Sequence, residues 1–423
     1  MNIQQTILKN GLKLINIKKK DSEVAVVLFL VGVGSAFETK QKAGISHFLE
    51  HLFFKGTTRR KNSLEISEFI EEIGGSFNAF TSKEYTGYYA EVAKKHVDKA
   101  FDFVSDLMLH PLFPKEEIEK EKNVVIEEMN MYQDMPMQYV GEKFEELLYG
   151  DTPSGRLVIG SKKSVMGLTR EDLVKYVRSY YAAKNGVLVF VGNKDIKSVK
   201  KLSENYFAEL KKGTKGTRKK VQEKQAKPKV SLLTKKTDQT HLCLGFRTVP
   251  LNTKEYYTAK VFAVALGGGM SSRLFTEIRE KRGLCYYIRA SQQSYLDSGY
   301  LVVQAGIDNT KVDEAVKATL AEIVRVKKEG LTKKELGKVK EFIKGKLALS
   351  LETSQSTAIY MAERYVLQNK IEELEKQYAR IDAVTLSMVQ SFMDTYIQEK
   401  SLNLTLIGPF KDRARFVKML TLK

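Results

Sequence analysis

The stretch AGISHFLEHLFFKG, residues 43–56, decides how the rest of the chain is read. On an α-helix, positions four apart stack on one face, so His47 and His51 can reach one point about 6 Å along the axis. Two imidazoles so spaced suit Zn²⁺, whose nitrogen ligands sit roughly 2.0–2.1 Å away. Glu50 then lies beside the open coordination position, where its carboxylate can take a proton from water. Leu49, Leu52 and Phe53 flank the pair with apolar bulk that excludes solvent. A histidine pair on a helix is often plain polar surface, but the chain has only five His and two of them stand here. A third ligand is still required.

A second helix supplies it. Lys115–Met131 reads as amphipathic, with acidic residues at its start as the helix dipole prefers. Glu121 and Glu128 are two turns apart and share a face, whereas Glu127 points about 100° away. Glu128 is therefore the best third ligand, with Glu121 as a second carboxylate nearby. A solvated acidic helix would carry the same residues. Here Ile118, Val124 and Val125 set the shared face at the edge of an apolar stripe.

At 423 residues, with 43% hydrophobic and 29% charged residues, the chain has the size and composition of a soluble protein of two ordinary domains. Its most apolar run, Val24–Val33, is too short to span a membrane and reads as a buried strand. The start, MNIQQTILKNGLKLI, has neither a signal peptide's apolar core nor transit-peptide character, and a cytoplasmic protein is expected. Cys243 and Cys285 form no CxxC pair and read as buried free thiols in a reducing compartment. The formal charge of +19 raises nucleic-acid binding as a function. Much of that charge lies in Lys211–Lys229, a run without aromatic residues in a chain without Trp, so no stacking platform accompanies it. The run reads as a solvated linker, and neither nucleic acid nor membrane is expected as a partner.

Taken in order, Gly11–Ile17 and Val24–Val33 read as strands, followed by the His47 helix, with Gly56 as its C′ residue. A helix capped by Ser63 comes next and stops at Gly74-Gly75. Ser76–Thr81 and Thr86–Val92 then form a hairpin. Helices Val97–Met108 and Lys115–Met131 follow, then a helix capped by Thr169, a strand at Val187–Gly192 and a helix at Lys194–Leu210. Beyond the basic run the pattern starts again. Strands at Val230–Leu233 and His241–Phe246 precede helices at Lys254–Leu266 and Arg273–Arg282. Strands near Tyr286–Ser291 and Tyr300–Ile307 lead to long helices at Lys311–Lys328 and Thr332–Leu351, and Leu402–Gly408 is a closing strand. The run Gly267–Gly269 lacks the spacing and the Lys-Ser/Thr ending of a phosphate loop and needs only to turn. The expected fold class is α+β: two homologous α/β-sandwich-like domains, each a mixed sheet with helices packed on it. The boundaries fall at 1–212, a basic linker at 213–229, and 230–423.

HFLEHLFFKGT, GGSFNAFTSKEYTGYY, EKEKNVVIEE, GRLVIG and GGGMSSRLFTEIREKRGLCYY resemble blocks of the M16 metallopeptidases, whose zinc motif is His-Glu-x-x-His read backwards. The resemblance covers nearly the whole chain and points to the processing-peptidase branch. It implies a LuxS/metallohydrolase-like M16 fold, one Zn²⁺ per chain held by His47, His51 and Glu128, Glu50 as general base, and Glu121 as the carboxylate supporting the site. It further implies that Arg279 and Tyr286 hold substrate, since a guanidinium and a phenol suit a peptide carbonyl and a developing oxyanion. Phe77, Asn78, Ala79, Phe80 and Thr81 would receive a peptide substrate as an added strand. Two family-type halves form a clamshell around a chamber. Since one chain here carries both the zinc residues and the Arg/Tyr pair, the resemblance implies a homodimer. The implied activity is zinc-dependent endopeptidase. The alternative is a non-catalytic scaffold subunit of the same fold.

Overall fold

The computed structural model describes residues 2–222 and 224–422; Met1, Glu223 within the basic run, and Lys423 lie outside them. The first compact unit runs to Met129 and adds Arg156–Lys219 and Ala348–Glu373. Its sheet is built from β1 (Asn2–Ile7), β2 (Lys13–Lys18), β3 (Val24–Val31), β4 (Ser76–Thr81), β5 (Thr86–Ala93) and β6 (Gly186–Gly192). The spatial order is β1-β2-β6-β3-β5-β4. Only β2 and β6 pair in parallel. β3 is apolar throughout and buried from Ala25 onward, because both faces of the sheet are covered. Val26, Leu28 and Leu30 join Val187, Val189 and Val191 against Ala358, Met361 and Ala362 of the helix Ser354–Gln368. The helix Val97–Leu109 packs on β3 and β5.

Helices of this unit include α1 (Ile45–Leu52), α2 (Ser63–Glu71), α3 (Val97–Leu109) and, as far as Met129, α4 (Lys115–Gln133). α1 ends at Leu52, four residues before Gly56, whose φ of +138° belongs to the following turn. α2 is capped by Asn62, not Ser63: the Asn62 Oδ1 accepts from the Glu65 N–H at 3.0 Å. Ser63 is instead the first helical residue.

The second unit comprises Asn130–Gly155, Lys220–Leu347 and the chain from Leu374 onward. Its strands β7 (Lys229–Thr234), β8 (Gln239–Arg247), β9 (Cys285–Ser294), β10 (Gly299–Asp308) and β11 (Leu402–Gly408) lie in the order β7-β11-β8-β10-β9. That is the order β2-β6-β3-β5-β4 repeated, with the same single parallel pair, β7 with β11. The sequence repeat is thus a repeat of topology. Helix α5 (Pro136–Tyr149) packs on β8 and β11, with Val140, Phe144 and Leu148 buried beside Cys243, Tyr300 and Ile407.

A cut of the chain at 212 and 230 would not return these units. α5 precedes the basic run yet covers the second unit's sheet. Ser354–Gln368 follows the run yet covers the first unit's sheet. Polar contacts fix both helices. Tyr295 and Tyr300 donate to Glu145 of α5, and Tyr85 donates to Glu363 at 2.7 Å. The basic run itself is only partly solvated. In the first unit, Arg218 makes an ion pair with Glu84 at 2.8 Å, their side chains 8% and 3% exposed. In the second, the Val221 N–H donates to Asp297 and the Gln225 amide to the Leu402 carbonyl.

Candidate metal centre

α1 and α4 bring four of the expected side chains together inside the first unit. One ligand atom each from His47, His51 and Glu128 lies within 4.8 Å of the others, the one such cluster of potential metal ligands among the described residues. His47 Nε2 is 3.6 Å from Glu128 Oε1, and His51 Nε2 is 3.4 Å from Glu128 Oε2. The imidazole centroids are 4.8 Å apart, as the four-residue spacing on one helix face requires. Glu121 takes a different place. Its Oε1 is 2.8 Å from His51 Nδ1 and its Oε2 is 2.7 Å from Lys55 Nζ. The carboxylate therefore orients the His51 ring from behind and leaves Nε2 turned toward Glu128, the usual arrangement behind a metal-bound histidine. Glu127 is not part of this cluster.

The donor set fits zinc. Two imidazoles and a carboxylate are a recognised catalytic set with an open position. His47 Nδ1 and Glu128 Oε2 are buried without a hydrogen-bond partner, a cost that coordination of Glu128 would remove on the carboxylate side. Burial works against charge on His51, but contacts with Glu121 and Glu128 outweigh it and hold its pKa up to about 9. Burial likewise raises the Glu128 carboxyl, yet the two imidazoles prevail and hold it down to about 2. The cluster thus attracts positive charge, whether a proton or a metal.

The metal-free protein carries a pH signature from this arrangement. A raised His51 pKa contributes stability that is full below the ordinary value of 6.5 and lost as pH rises through about 9. The Glu128 contribution changes only in acid, below the ordinary carboxyl value. Thermal melts of chelated protein should therefore fall between about pH 6.5 and 9, and His51→Gln should flatten that slope. An unchanged slope in the variant would assign it to other groups.

Glu50 is half-buried on α1, and its charge acts on the buried phenols of Tyr88 and Tyr181, both held above the ordinary tyrosine pKa chiefly by burial. Phe77–Thr81 lies in β4, an edge strand of the sheet, with α1 against it and Phe54 packed on Phe77 at 5.4 Å between centroids. The Ala79 N–H is held by the neighbouring Asn78 Oδ1 at 2.8 Å.

Arg279 and Tyr286 lie in the second unit and contact each other: Arg279 Nε donates to the Tyr286 carbonyl at 3.0 Å. Arg279 belongs to a π-helical segment, Phe275–Lys281, and its guanidinium lies 4.7 Å from the Phe275 ring centroid. Such segments are rare and concentrate at functional sites. The Tyr286 side chain is free to engage a ligand, the residue being 76% exposed.

Two residues near the centre had no sequence signal read for them. Lys55 lies beyond the end of α1, and Glu38 acts across a glycine cap that hides it from any capping pattern.

With this geometry in hand, the comparisons with known proteins are specific. The family model described as insulinase, peptidase family M16, matches residues 13–162, and that described as peptidase M16 inactive domain matches residues 167–342. The chain is 34% identical to the uncharacterized zinc protease YmxG of Bacillus subtilis over 96% of this chain and 98% of that one. It is 33% identical to the uncharacterized zinc protease Rv2782c of Mycobacterium tuberculosis, over 96% and 93%. Among solved structures, a protease from Helicobacter pylori superposes with a TM-score of 0.89 at 26% identity, covering 96% of this chain and all of that one. A Pseudomonas fluorescens structure described as peptidase M16 inactive domain shares the fold, with a TM-score of 0.89 at 20% identity over 97% and 98%.

Proposed function

This chain belongs to the M16 peptidase family, and from that membership we propose that it is a zinc-dependent endopeptidase acting on peptides or unfolded polypeptide segments. The observation that carries the reading is the convergence of His47, His51 and Glu128 within 4.8 Å, with His51 oriented by Glu121. In this reading those three residues hold one zinc per chain. When bound, zinc supplies Lewis-acid polarisation of the scissile carbonyl and acidifies water at the site.

The remaining steps belong to side chains. Glu50 accepts the proton of the attacking water and delivers it to the amine as the C–N bond breaks, so one carboxylate serves as base and then acid. Glu121 and Lys55 keep the His51 ring from turning. β4 offers its free edge to an extended substrate, whose main chain supplies the bonds, so many sequences are tolerated. Arg279 and Tyr286 supply donors to substrate carbonyls. We further propose that two copies enclose the substrate in a chamber, a state readable from the particle mass in solution. The setting proposed is the cytoplasm. Both cysteines are free thiols, as a reducing compartment permits, and no helix among the described residues is long and apolar enough to cross a membrane.

The test is hydrolysis of a mixed set of internally quenched peptides by protein of measured zinc content. Cleavage should vanish on chelation and return with added zinc. Full zinc occupancy without cleavage by the chain alone would favour the scaffold reading.

A further inference from the structure

Glu38 is a buried acid beside α1 that the hydrolytic scheme leaves without a task. The approach to α1 is unusually tight. Gly44, its cap, has φ +93°, and a Cβ there would meet the Ile159 carbonyl oxygen at 2.5 Å. A Cβ on Gly160, at φ +82°, would meet the Ala43 carbonyl oxygen at 2.4 Å. The GRLVIG segment therefore passes so close that only glycine fits at the cap. A glycine cap has no side-chain oxygen for the free amides of the first turn.

Glu38 supplies both oxygens from six residues upstream. Its Oε2 accepts from the Gly44 N–H at 2.6 Å and its Oε1 from the Ser46 N–H at 2.8 Å. The residue is 4% exposed. It is anchored in turn: Arg156 donates to the Glu38 carbonyl at 2.9 Å, and Lys83 donates to the Arg156 carbonyl at 2.9 Å. The Ser46 hydroxyl sits 2.8 Å from that of Tyr176. Ser46 immediately precedes His47, so the clamp acts on the turn from which the first histidine projects. Burial pushes the Glu38 carboxyl up to about 7 despite the amides and hydroxyl that favour its charge, so retaining an acid here is costly.

We propose that Glu38 is a positioning residue for the metal centre: by gripping the amides of Gly44 and Ser46 it sets the axial and rotational register of α1, and so the placement of His47 and His51 against Glu128. The proposal rests on the zinc reading above. Glutamine at this position accepts from one amide but turns its NH₂ toward the other, so two donors face each other and α1 must shift.

The experiment loads the full chain with Co²⁺ in place of zinc and compares wild type with Glu38→Gln, alongside circular dichroism and thermal melts. Expected is a folded variant with an altered visible Co²⁺ spectrum and roughly 10–100-fold weaker metal affinity, the loss typical of removing a support one step behind the ligands. If Glu38→Gln does not fold, Glu38→Asp keeps the carboxylate with a shorter reach and should show the same spectral change. A folded Glu38→Gln, or failing that a folded Glu38→Asp, with wild-type spectrum and affinity overturns the proposal and leaves Glu38 a cap only. Wild type that takes up no Co²⁺ or zinc defeats the zinc reading itself, an outcome separate from either.

Discussion

Glu50→Gln is expected to lower kcat by about 10²–10⁴-fold, the usual contribution of a positioned proton carrier, while zinc content and KM stay near wild type. Glutamine matches the shape of glutamate, so α1 and its two histidines keep their places. What is lost is the ability to accept the proton of water and hand it to the leaving amine. Turnover of quenched peptides read beside the metal content of the same sample checks this. A variant that loses zinc along with activity would move Glu50 from proton transfer to support of the site.

The second large effect is expected at Glu121. Its carboxylate is 5% exposed and spans His51 Nδ1 and Lys55 Nζ. Glu121→Ala removes both contacts at once. The His51 ring is then free to turn, and an ammonium is left beside it without the anion that balanced it. Zinc affinity should fall about 10–100-fold, with turnover recovered at high added zinc. Competition against a chromophoric chelator measures it. Unchanged affinity would mean that packing alone orients the His51 ring.

Why these two residues could be picked from sequence follows from helix geometry. Four- and seven-residue spacings map directly onto one helix face, so His47 with His51 and Glu121 with Glu128 were legible as pairs. Spacing does not say that the two helices meet; the family resemblance did. The buried strands were legible as well, because β3 and β6 are continuous apolar runs and β11 sets Leu402, Leu404, Leu406 and Ile407 around Asn403 and Thr405. β1 was not: NIQQTI is a half-exposed edge strand with no apolar period. α5 does carry a spacing, Val140, Phe144 and Leu148 four apart behind Pro136 at its start, but its partner strands lie far along the chain. No local pattern encodes such a pairing. Glu38 was hidden for a related reason, since the capping acid stands six residues before the helix cap and the cap is a glycine. The π-helical winding that carries Arg279 was equally illegible, because its sequence reads as an ordinary helix.

The interleaving of segments has a consequence for synthesis. The unit that holds His47, His51 and Glu128 needs residues 348–373 to cover its sheet. A growing chain therefore exposes one face of that sheet until nearly nine-tenths of its length has been made. Completion of the unit that carries His47, His51 and Glu128 therefore waits on a covering helix made long after those residues. The order of the segments along the chain thus acts as a timer on the folding of that unit.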